Sequence, residues 1–168
     1  MNVSYFFTVA IMAGSLIIQS HPSFDVLRIG GVKPDLLFIA IVYYSYTFGS
    51  FYGQVTGFFG GLIQDATSFS PLGLLTLPKV IVGFTVGLLG RSVIKANIVS
   101  VAILMFASSI VKGVITLILC IIFHENAIGE VVGIILPEAF YNSLIAIPVF
   151  YLFDRIYESE ISSNEGFY

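Results

Sequence analysis

Long apolar runs alternate with short polar interruptions along this chain, and the runs have the length of membrane helices rather than of strands. The first, Val3 to Ser20, holds no charged residue. A signal peptide would want Lys or Arg ahead of the apolar stretch and small residues at a cleavage site. No basic residue precedes Arg28, and Ile17-Ile18-Gln19-Ser20-His21-Pro22 is a poor cleavage site, so the segment reads as a retained helix. The loop from His21 to Lys33 carries Asp25, Arg28 and Lys33, with Pro22, Gly30 and Gly31 as breakers.

An uncharged run from Leu36 to Gln64 follows. As one helix it would measure about 44 Å at ~1.5 Å per residue, too long for a ~30 Å hydrocarbon core without strong tilt. Its middle, Tyr43-Tyr44-Ser45-Tyr46-Thr47-Phe48-Gly49-Ser50-Phe51-Tyr52, has the tyrosine density of a membrane–water interface. The run therefore splits around Phe48 to Ser50 into two short helices, and bilayer thinning or burial against neighbours must make up for their length. Asp65 to Pro71 reads as a turn. Further helices are expected over Leu72–Gly90, Ile98–Phe123 and Val131–Phe153, followed by a short polar tail from Asp154. The spans are thus 3–20, 34–48, 50–65, 72–90, 98–123 and 131–153, one transmembrane domain over 1–168. The fold class is all-α: a polytopic membrane protein built as a six-transmembrane-helix bundle.

Composition supports that reading. Hydrophobic residues make up 57% and charged residues 10%, where a soluble domain carries about 25% charged. The seven basic and ten acidic side chains cannot cover a water-facing surface, so the excess apolar surface faces lipid. No basic stretch could track a phosphate backbone, so nucleic acid is a poor partner. Cys120 is alone, and His21 and His124 are isolated, so no metal-ligand spacing exists. With the N-terminus inside, Arg91, Lys95 and Arg155 lie in the cytoplasm and Arg28 and Lys33 outside, which favours both termini inside.

Gly49, Gly53, Gly57 and Gly61 recur every four residues; Gly83 and Gly87, and Ala10 and Gly14, repeat the spacing. Such stripes let two helix backbones approach closely inside lipid, either within the bundle or against a partner. Asp65, Lys79, Lys112 and Glu138 sit where lipid would make a charge cost ~2.5–3.5 kcal/mol, so each needs a partner or a wet cavity. Asp65 and Lys79 flank one turn and could pair; Lys112 and Glu138 could meet across antiparallel neighbours. That polar seam serves a partner, substrate or proton, or else closes the bundle as a structural ion pair. Pro78, Pro137 and Pro148 fall inside spans, where each is expected to kink its helix. No nucleophile elbow, P-loop, HExxH motif or paired aspartates can be read, so no catalytic site and no cofactor are expected.

Lys33-Pro34-Asp35-Leu36-Leu37, then Tyr52-Gly53-Gln54-Val55-Thr56-Gly57-Phe58-Phe59-Gly60-Gly61-Leu62-Ile63-Gln64-Asp65, then Pro71-Leu72-Gly73-Leu74, and finally Pro137 with Tyr141-Asn142 follow one another in an order that resembles the rod shape-determining protein MreD family. One departure is Lys79, in a stretch the family usually keeps apolar. The resemblance implies a six-helix fold like the substrate-binding subunits of energy-coupling-factor vitamin transporters. It implies a non-catalytic scaffold of the bacterial cell-elongation machinery in the inner membrane. Its partner would be an MreC-like protein, linked through it to a RodA-type glycosyltransferase, a penicillin-binding transpeptidase and MreB. Pro34, Asp35 and the glycines are then candidate packing or partner-binding residues. A vitamin-binding transporter subunit, with a pocket lined by Asp65, Lys79 and the tyrosines, is the alternative.

Overall fold

The computed structural model describes residues 5–28, 31–68, 70–93, 97–123 and 128–165. Six α-helices account for most of them, and no strand occurs among the described residues. They are α1 (Tyr5–Ser20), α2 (Leu36–Phe48), α3 (Ser50–Ser68), α4 (Thr76–Val93), α5 (Ile98–Ile122) and α6 (Ile128–Glu165). A 3-10 turn, Pro22–Leu27, lies between α1 and α2. His124 and Lys95 fall outside the described residues.

Helix α2 is the axis of the molecule. The other five helices all touch it, and in the order α1, α3, α4, α5, α6 each touches the next. Among the described residues α1 and α6 do not approach each other, so the ring is open at one seam. Every residue from Leu37 to Tyr46 is buried. This explains how a helix of 13 residues can sit in an apolar bundle: its neighbours, not lipid, surround it. The tyrosines therefore do not form the interface belt expected from their density. Tyr43, Tyr44 and Tyr46 are at most 2% exposed. Tyr43 packs edge-on against Phe150 and Phe153, and its hydroxyl donates to Asp154 Oδ1 at 2.8 Å. Aromatic rings with satisfied hydroxyls make good core residues, and that outcome overrode the interfacial one here.

The break between α2 and α3 falls at Gly49. Its φ of 97° lies in the left-handed region, which a residue with a Cβ adopts only under strain. Its amide donates to Ser45 O at 2.9 Å, closing α2. Helix α4 begins at Thr76, later than expected, because Leu72 to Leu75 form a turn through Gly73 at φ 102°. Pro78 thus stands in the first turn of α4, where its missing N–H is no loss, and does not kink the helix. The irregularity in α4 is at Gly90 instead. Pro137 and Pro148 do lie inside α6. The tail after Asp154 is not a coil: α6 runs on to Glu165, because no Gly or Pro interrupts the chain between Pro148 and Gly166.

Two helices, Ile98–Ile122 and the stretch Ile128–Ile156 of α6, are long and apolar enough to cross a membrane. Large apolar side chains point outward from most helices, among them Ile17, Phe51, Phe59, Ile103 and Phe140. A molecule with that surface is at home in lipid, not water.

Candidate functional site

Helices α3 and α4 meet backbone to backbone. A Cβ on Gly53 would collide with Gly83 O, and one on Gly83 with Gly53 O. On Gly57 it would come within 2.8 Å of Lys79 O, on Gly61 within 2.5 Å of Thr76 Cα, and on Gly87 it would strike Ser50. The glycine stripe therefore faces another part of this chain. Gly49 stands outside it, at the turn.

The turn joining α3 to α4 is organised by Asp65, which is fully buried. Its Oδ1 accepts from Ser70 Oγ (3.1 Å) and Leu75 N (2.8 Å). Its Oδ2 accepts from Gly73 N (2.8 Å), Thr76 N (3.2 Å) and Thr76 Oγ1 (2.6 Å). The carboxylate thus serves donors that the start of α4 leaves without helical partners. This engagement replaces the anticipated pairing of Asp65 with Lys79. Lys79 turns the other way, toward Asp35.

Four charges from four elements converge around the N-terminus of α2. Asp35 caps that helix, its Oδ1 accepting from Phe38 N at 3.0 Å. Its Oδ2 accepts from Lys112 Nζ at 3.0 Å and lies 3.9 Å from Lys79 Nζ. Lys112 also donates to Glu138 Oε1, and its ammonium sits 4.6 Å above the Phe38 ring. Asn142 ties the group together: its Oδ1 accepts from Asp35 N at 2.9 Å, and its Nδ2 donates to Ser109 Oγ at 3.2 Å and weakly to Glu138 Oε1 at 3.5 Å. All are buried or nearly so, which strengthens each charge–charge contact and demands that it be paired.

Sequence reasoning placed Lys79, Lys112 and Glu138 in the interior but set Asp35 beside Pro34 as a partner-binding candidate. Both Pro34 and Asp35 are buried in this chain's own contacts. Asn142 and Ser109 went unnoticed as members of the cluster. The signal was present: Asn142 is one helical turn after Glu138 and Ser109 one before Lys112, so each polar pair shares a face.

Beside the cluster lies a cavity of about 390 Å³. Lys79, Lys112, Asp35 and Glu138 line it together with Gln19 at the end of α1, Arg28 and Lys33 of the following loop, and Gln64 of α3. Val131, Ile134 and Ile135 of α6 form an apolar wall. Neither Asp65 nor the α2 tyrosines line it. Among the described residues no group of His, Cys, Asp and Glu could hold a metal ion.

An all-helical bundle with an apolar exterior, an ion-paired interior and a small cavity of mixed lining defines a membrane protein. The family model for the rod shape-determining protein MreD matches residues 2–159, nearly the whole chain, and the chain belongs to that family. Its role is therefore in the determination of rod shape. No curated protein gives a significant match.

Proposed function

We propose that this chain is a non-catalytic membrane scaffold of the bacterial cell-elongation machinery, holding an MreC-like partner and, through it, a RodA-type glycosyltransferase, a penicillin-binding transpeptidase and MreB. The family match over residues 2–159 is the observation that carries this reading. The interior is consistent with it. The buried charges are held by one another and by helix termini, as in a structural core. The glycine stripe is engaged within the chain, so a partner helix would lie on the apolar outer faces, such as the Phe51, Phe58 and Phe59 side of α3. On this reading the bundle lies in the inner membrane with six spans and both termini in the cytoplasm. Green fluorescence from fusions at either end checks that placement, and a dark fusion at one end excludes it.

The scaffold reading is tested by purifying the tagged protein from native membranes in a mild detergent after light crosslinking. An MreC-like protein is expected in the eluate at comparable amount. Its absence, together with a vitamin retained by the purified chain, would sink the scaffold and favour a transporter subunit. The vitamin reading is weakened by the tyrosines and Asp65, which were to line its pocket and are engaged elsewhere.

A further inference from the structure

One cation of the cavity is incompletely served by the ion-paired cluster. The charged residues that line it include Lys79, Lys112, Asp35 and Glu138. Both carboxylates bind Lys112 closely. Lys79 has only the longer contact to Asp35, at 3.9 Å, and one acceptor at the limit of hydrogen-bond range, Leu75 O at 3.4 Å. Its ammonium is an under-coordinated cation in a residue 1% exposed, and a buried cation in a membrane protein calls for an anionic partner. Gln64, on the same cavity, has a buried Oε1 with no hydrogen-bond partner. A buried carbonyl oxygen left so calls for a hydrogen-bond donor in the space beside it. The cavity has the volume of a small-ligand site, within the usual ~300–1,000 Å³.

The shape says which kind of anion fits. Gln19 of α1 and Val131, Ile134, Ile135 and Glu138 of α6 all line the cavity, and α1 and α6 are the two helices of the ring that do not meet among the described residues. The cavity therefore sits at the open seam of the bundle, lined by both apolar and cationic side chains. An acidic head on apolar chains matches both.

We propose that this cavity binds the phosphate headgroup of an anionic membrane lipid. Lys79 is the principal contact of the phosphate, the Gln64 Oε1 accepts from a hydroxyl of the headgroup, and the lipid's chains leave through the α1–α6 seam. The inference stands apart from the scaffold reading, because nothing in it depends on a protein partner.

The test uses the full chain in nanodiscs of equal phosphatidylglycerol and phosphatidylcholine, with retained lipid counted by native mass spectrometry after gentle release. The wild type is expected to hold phosphatidylglycerol at least tenfold over phosphatidylcholine. Lys79→Gln is expected to abolish the preference. Gln64→Leu removes an amide oxygen that has no partner and so leaves the fold intact; it is expected to reduce the preference severalfold, and it carries the test if Lys79→Gln does not fold. Equal retention of the two lipids by the wild type overturns the proposal, as does an undiminished preference in folded Gln64→Leu. Displacement of the bound lipid by inorganic phosphate at millimolar concentration overturns it in favour of a soluble phosphate. Loss of a co-purifying protein from Lys79→Gln, with no lipid preference in the wild type, overturns it in favour of an acidic segment of a partner.

Discussion

Lys112 shows what a buried charge in this molecule requires. It bridges Asp35 on one side of the bundle and Glu138 on the other, and Asn142 holds both carboxyl-bearing segments in place. Replacing Lys112 by Met would leave two carboxylates in the interior without their shared cation. Breaking a buried pair from one side costs ~3–5 kcal/mol, far more than the pair contributes over an apolar substitute. Thermal unfolding in detergent should show a marked fall in midpoint for Lys112→Met. Adding Glu138→Leu should recover part of it, since one orphaned charge is removed. An unchanged midpoint for the single variant would mean that the cluster is wetter than its burial implies. Individual charges were legible in the sequence, because an ionisable residue in an apolar run stands out. Their pairing was not. Asp35 follows a proline at the end of a loop and gives no local sign that it closes onto Lys112, 77 positions later. Asp65 and Lys79, which look like partners across a short turn, are separated because the unpaired amides at the start of α4 claim the carboxylate.

At the level of elements, the α3–α4 contact is the most exacting. Gly57→Ala would push a methyl group to within 2.8 Å of the Lys79 carbonyl, and backbone on both sides leaves no room to yield. Overpacking of this kind costs ~1–3 kcal/mol. Gly14 makes the natural comparison, since a Cβ there meets nothing within 4 Å. Gly14→Ala should be neutral or slightly stabilising, because alanine favours helix over glycine by ~0.5–1 kcal/mol. Thermal shift measurements on the two variants separate them; equal behaviour would show that the α3–α4 approach is looser than described. Period and spacing in the sequence were enough to mark both stripes, yet not to say that one is filled by a neighbouring helix and the other open. The division of the Leu36–Gln64 run at Phe48 to Ser50 was also legible, because length forced it and Gly49 marked the place. The role of its tyrosines was not. Tyrosine density is the same at a membrane interface and in the core of a bundle, and only the encirclement of α2 by five helices distinguishes the two. Pro78 likewise needed the true start of α4 before its effect could be known.

For the molecule as a whole, the sequence carried its membrane character plainly, since excess apolar surface has no other solvent. It carried the family through the order of glycine, proline and aspartate motifs rather than through any one of them, and the family match covers residues 2–159. The position of α2 at the centre, the open seam and the cavity beside the ion cluster are products of tertiary arrangement that no local pattern announces. The most direct measurement is cell width and length after depletion of this protein in its native host, with the wild-type chain supplied back from a plasmid. The account predicts that rods round up within a few generations and that the supplied chain restores them. Depleted cells that keep unchanged rod dimensions through many divisions would contradict it.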